Sequence, residues 1–111
     1  MHVTIHTAAL GRAETHITNS AAELVRMGFN PSSLPRVDRL KALAAALASE
    51  LEAIRDEGGR GAREASIALT ELQKASMFGV AAATADLGKP PVTYSTGPAG
   101  TVPVERDGGV G

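Results

Sequence analysis

Residues 36–83 read RVDRLKALAAALASELEAIRD, then EGGRG, then AREASIALTELQKASMFGVAAA, and this stretch decides the fold. Between Arg36 and Asp56, Val37, Leu40, Ala44, Leu47, Leu51 and Ile54 recur at spacings of 3, 4, 3, 4 and 3. That period is the seam of a helix packed almost parallel to a partner. Ala42, Ala45, Ala46 and Ala48 raise the helix propensity further. Glu57-Gly58-Gly59-Arg60-Gly61 breaks the helix, and a second seam runs through Ala62, Ala65, Leu69, Leu72, Ser76, Gly79 and Ala83. The pattern predicts an antiparallel helical hairpin whose arms, at about 1.5 Å per residue, are roughly 30 to 37 Å long. The second arm is expected to run to Gly88, which suits a left-handed cap, with Pro90 unable to continue the helix.

Outward from the hairpin the signals weaken. Ser20-Ala21-Ala22-Glu23 has capping-box spacing, with Ser20 accepting from the third helical N–H and Glu23 reaching back, and predicts a short helix to about Met27. Gly28 to Pro35 is turn chemistry containing one aromatic, Phe29. In residues 1–18, Val3 and Ile5 alternate as in a short strand, whereas Ala8 to His16 suit a helix. Residues 89–111, rich in Pro and Gly, read as a disordered or loosely attached tail. The expected organisation is an N-terminal extension over 1–18, a hairpin domain over 19–88 and that tail. The expected fold class is all-α, a helical hairpin with a short N-terminal helix.

Composition bounds the function. A chain of 111 residues is one domain at most. With 20 Ala among its apolar residues, two Phe, one Tyr and no Trp, a monomeric core would be thin. Ile67, Met77, Phe78, Val80 and Ala81 cannot all face the first arm, so the second arm is expected to meet other copies in a homo-oligomer. The alternative is a monomeric three-helix domain with residues 20–27 as its third layer. A net charge of −1 supplies no field for gripping duplex DNA or RNA, or an anionic membrane. The absence of Cys excludes thiolate chemistry, and no signal peptide or long apolar run is visible, so the default compartment is the cytoplasm.

Candidate chemistry concentrates at the two ends of the hairpin. Arg36, Arg39 and Lys41 crowd the start of the first arm, where the helix dipole disfavours cations, and this suggests a bound anion. Phe29 would stack on a nucleobase while this cluster holds phosphate; alternatively, it plugs the end of the hairpin and the cations make solvated pairs. Arg60, Gly61 and Arg63 sit where the second arm presents free N–H groups, though the Gly-Lys-Ser/Thr ending of a phosphate loop is missing and a plain turn explains them as well. His2, His6 and His16 lack the spaced partners of a metal site, and the paired acids fit a solvated helix face. No catalytic residues, metal or cofactor are expected.

The stretch Arg63-Glu64-Ala65-Ser66-Ile67-Ala68-Leu69-Thr70-Glu71-Leu72-Gln73-Lys74-Ala75-Ser76-Met77-Phe78 resembles the R-E-x-S/A-x-A-x-T-x-L-x-x-x-x-M-W signature of the helical hairpin shared by phage anti-CBASS and anti-Thoeris sponge proteins. Arg26-Met27-Gly28-Phe29-Asn30-Pro31, then Val37-Asp38-Arg39, resembles the same family's aromatic loop and first arm, extending the likeness to about 60 residues. Phe78 stands where the family usually has Trp, and the longer β-rich N-terminal region of the anti-Thoeris branch is not recognisable.

The resemblance implies a non-enzymatic immune-evasion protein of the infected bacterial host's cytoplasm. It would bind cyclic oligonucleotide messengers without cleaving them, starve CBASS-type effectors of their signal, and act as a homo-oligomer, commonly a hexamer. A two-fold interface suits a cyclic dinucleotide of the GMP-AMP type, with Phe29, Asn30, Arg39 and Lys41 as candidate contacts. A three-fold axis suits a cyclic trinucleotide of the tri-AMP type, with Arg63, the match to the motif arginine, and Thr70. A sponge for cyclic ADP-ribose-type signals, or a helical adaptor with no ligand, are the alternatives.

Overall fold

The computed structural model describes residues 1–9 and 11–87. Two strands, β1 (His2–Thr7) and β2 (Gly11–His16), precede three helices, α1 (Asn19–Leu24), α2 (Pro35–Glu57) and α3 (Ala62–Ala83). The chain is therefore mostly helical with a small antiparallel sheet, which corrects the all-α expectation. The β1–β2 register runs from His2 opposite His16 to Thr7 opposite Gly11, and Ile17 N–H to Met1 C=O at 2.9 Å closes its open end. Val3 and Ile5 do form a strand, but Ala13 to His16 pair with it and are not helical. The apolar partner for alternating Ala13 and Thr15 lies across the sheet, which local periodicity does not reveal.

The hairpin arms form where the pattern puts them. Pro35 occupies the first turn of α2, where its missing N–H costs nothing. Gly58 ends α2 at φ 73, a left-handed cap. α3 stops at Ala83, short of the expected Gly88, which lies outside the described residues. The cause is local: the Thr84 hydroxyl donates to Val80 C=O at 2.8 Å, and Leu87 N–H turns back to Thr84 C=O. The expected tail over 89–111 also lies outside the described residues. No described helix is long and apolar enough to cross a membrane.

α1 is capped by Thr18, not Ser20: the Thr18 hydroxyl accepts from Ala21 N–H at 3.1 Å. Ser20 is drawn elsewhere. The carboxylate of Glu52 on α2, 8% exposed, accepts from the Thr18 hydroxyl at 2.5 Å and from the Ser20 hydroxyl at 2.6 Å. Ser49, one turn earlier, accepts from Thr18 N–H at 3.0 Å and donates to Ala45 C=O. This clamp fixes the start of α1 on the middle of α2.

The core is the small cluster Ala21, Val25, Ala45, Ala48 and Leu69, with Ile17, Leu24, Met27, Ala44, Leu51 and Leu72 packed around it. On α3 the expected seam holds, from buried Ala65 and Leu69 to half-buried Leu72, Ser76, Gly79 and Ala83. On α2 it does not: Leu47 and Ile54 are 51% and 42% exposed, as is Leu43 at 51%. α2 carries α1 as well as α3, so its buried arc shifts toward Lys41, Ala45, Ala48 and Glu52. At about 100° per residue, Leu43, Leu47 and Ile54 then align on an uncovered flank.

Candidate functional site

The chain between α1 and α2 builds a structured polar region. α1 ends in a Schellman turn, with Met27 N–H bonded to Ala22 C=O at 2.9 Å and Arg26 N–H to Glu23 C=O at 3.1 Å. The left-handed position belongs to Arg26, at φ 57, where Gly is the usual occupant. This turn brings the Arg26 guanidinium over the Phe29 ring, 5.3 Å from its centroid. Lys41 Nζ lies 5.4 Å from the same centroid, and the ring itself is 58% exposed.

Lys41 is the pin of the loop. Its residue is 6% exposed, and Nζ donates to Arg26 C=O at 3.0 Å and to Phe29 C=O. Two of its three N–H donors are therefore spent within the chain, leaving one for a ligand. Asn30 is also engaged: Nδ2 donates to Leu34 C=O at 2.9 Å and to Asp38 Oδ1 at 3.1 Å, while Oδ1 accepts from the Ser32 hydroxyl. Asn30 shapes the loop and has no amide group left over. Arg39 lies two residues from Lys41, about 160° away around the helix, and it lines neither groove described below.

Phe29 separates two grooves. One, of about 490 Å³, is lined by Glu23, Leu24, Val25 and Arg26, by Phe29 and Lys41, and by Gln73, Ser76, Met77 and Val80 of α3. The second, of about 380 Å³, lies on the far side of Phe29, toward Asn30, Val37, Thr84 and Leu87. The larger is a mostly apolar trough with an aromatic wall, two cations and a polar rim, of a size that suits a small ligand. Sequence reasoning missed Arg26, Glu23 and Gln73. No signal in the sequence pointed to Arg26, because its reading runs the helix on to about Met27 and Gly28, whereas α1 ends at Leu24 with Val25 as its C-cap.

The other candidates are differently placed. Arg63, with its side chain 79% exposed, lies 3.5 Å from the neighbouring Glu64, and Thr70 donates to Ser66 C=O at 3.3 Å. They share the outward side of α3, two turns apart, and line neither of the two grooves at Phe29. Ile67 and Phe78, 46% and 72% exposed, lie on the same side. His2 and His16 face each other across the strands with ring centroids 5.7 Å apart, and His2 lies 3.8 Å from Glu14. Among the described residues no set of three His, Asp or Glu is placed to hold a metal ion.

The model of the Acb2/Tad1 hairpin domain matches residues 21–84, more than half of the chain. Neither the curated proteins nor the solved structures gave a significant match. The matched span begins inside α1 and ends just after α3, so it includes the Phe29 loop, both arms and Arg63, and leaves out the β-hairpin. The chain belongs to this family of anti-CBASS and anti-Thoeris sponges.

Proposed function

We propose that this member of the hairpin family binds cyclic dinucleotides in the Phe29 groove and holds them without cleavage, withholding the signal from a CBASS-type effector. One observation carries the reading: an exposed aromatic ring lies under two cations at the wall of a trough. A base stacking on Phe29 would contribute about 1 to 3 kcal/mol. Arg26 offers a forked guanidinium to a phosphate, and Lys41 adds its positive charge and remaining donor.

A two-fold related pair of grooves would supply each base and each phosphate of the ring-shaped ligand with the same partners. Support for assembly comes from the uncovered apolar residues Leu43, Leu47 and Ile54 on α2 and Ile67 and Phe78 on α3, which one chain leaves in water. A hexamer would use both flanks. It would also gather Arg63 and Thr70 from three copies around a three-fold axis, forming a second site for a cyclic trinucleotide.

The test is titration calorimetry of the purified protein with cyclic dinucleotides, cyclic triadenylate and cyclic ADP-ribose isomers, with the ligand recovered by denaturation and its mass measured. Saturable binding and intact recovered ligand are expected for the cyclic oligonucleotides. Binding confined to cyclic ADP-ribose isomers would move the protein to the Thoeris branch of the reading. A linearised product accumulating with time would make it an enzyme.

A further inference from the structure

The Phe29 groove contains a group that phosphate binding does not explain. Glu23 lines it beside Arg26, its carboxylate makes no hydrogen bond or ion pair with a described residue, and the nearby guanidinium is turned over Phe29 instead. A free carboxylate repels an anionic ligand unless the ligand brings donors to it. Across the trough the amide of Gln73 and the hydroxyl of Ser76 are likewise without side-chain partners. These groups are the polar rim around any base that lies on the ring.

We infer that Glu23 is a specificity-determining residue that selects guanine among the bases stacked on Phe29; the inference rests on the cyclic-dinucleotide reading above. Guanine alone among the common bases presents two adjacent donors, N1–H and the N2 amino group, on its Watson–Crick edge, and these match the two oxygens of a carboxylate. Adenine sets one donor beside the N1 lone pair, and uracil sets its single N3–H between two carbonyl oxygens. Either edge places a lone pair against the Glu23 oxygens. Hydrogen bonds to a charged acceptor are the stronger kind, and a matched bidentate pair discriminates against a wrong base by tenfold or so. Gln73, with one donor and one acceptor, accommodates either purine and sharpens neither.

Calorimetry with cyclic di-GMP and cyclic di-AMP, on the full chain and on Glu23→Gln, tests this. The unmodified chain is expected to bind cyclic di-GMP about tenfold or more tightly than cyclic di-AMP. Glu23→Gln should lose that preference by weakening the guanine ligand alone, because an amide offers only one acceptor and leaves adenine unpenalised. Glu23 is exposed, so an unchanged melting temperature is the control for folding. Equal affinity for the two ligands, or an equal loss for both in Glu23→Gln, would overturn the role of Glu23 while leaving the groove intact. Failure of both ligands to bind the unmodified chain would overturn the cyclic-dinucleotide reading and this inference with it.

Discussion

Arg26 holds a left-handed backbone conformation that costs a side-chain-bearing residue about 1 kcal/mol relative to glycine. Strain of this kind persists where the surroundings enforce it, and here Lys41 pins the same turn through Arg26 C=O. Arg26→Gly is therefore expected to leave thermal stability unchanged or raised by up to about 1 kcal/mol while weakening cyclic-dinucleotide binding. A parallel melting curve and calorimetric titration check both halves, and a fall in stability would show that the guanidinium supports the fold. Phe29→Ala should weaken the same ligand by about 1 to 3 kcal/mol with the helix content retained, because the ring is 58% exposed. Lys41 is the opposite case. Its buried ammonium bonds two carbonyls, and each hydrogen bond to a charged group contributes about 1.5 to 3 kcal/mol, so Lys41→Ala should lower stability and binding together. Sequence reading treated Phe29, Arg39 and Lys41 as one cluster because they are close along the chain. The geometry of a helix separates Arg39 from Lys41, and only the fold shows that Lys41 is enclosed.

At the scale of elements, α2 and the start of α3 were legible because their apolar spacing is helical and Pro35 and Gly58 bound α2 chemically, although the face that α2 buries and the end of α3 were not. The β-hairpin was not, because a strand of six residues is defined by its partner and not by its own alternation. α1 was legible only in outline. The Ser20 and Glu23 spacing satisfies the capping-box rule, yet Glu52, 32 residues from Ser20, competes for its hydroxyl and wins, and Thr18 caps instead. The uncovered flank at Leu43, Leu47 and Ile54 was hidden for the same reason, since the sequence does not say that α2 serves two neighbours. The Glu52 clamp carries its own prediction. Glu52→Ala leaves the Thr18 and Ser20 hydroxyls without their acceptor and opens the joint between α1 and α2, at an expected cost of about 1 to 3 kcal/mol in chemical denaturation. Because α1 carries Glu23 and leads into Arg26, ligand affinity should fall as well, although the clamp touches no groove residue. Retained affinity at reduced stability would mean that the loop holds its shape without α1.

For the whole molecule, what matters is that a core built largely from alanine and valine leaves large apolar side chains outside it. The proposed assembly would cover those side chains, and it would also decide whether the two ends of the hairpin can act separately. Replacement of Leu47 or Phe78 by Glu should place a charge in a subunit contact and shift the mass in light scattering toward the 11.3 kDa monomer. An unmodified chain already monomeric at micromolar concentration would remove the premise. If assembly holds, the Phe29 groove and Arg63 are distinct sites: Arg63 and Ser76 are 13 residues apart on one helix, about 20 Å at the helical rise, and Arg63 is not part of the groove lining. Arg63→Ala should then weaken a cyclic trinucleotide and leave a cyclic dinucleotide nearly unaffected, and Phe29→Ala should do the reverse. The loss at Arg63 should be large for a residue so exposed in a single chain, because symmetry removes three guanidinium groups at once from one ligand. Calorimetry of both variants with both ligands reads the four affinities directly. Equal losses for the two ligands in either variant, at unchanged melting temperature, would mean one shared site, and the outward side of α3 would then serve assembly alone.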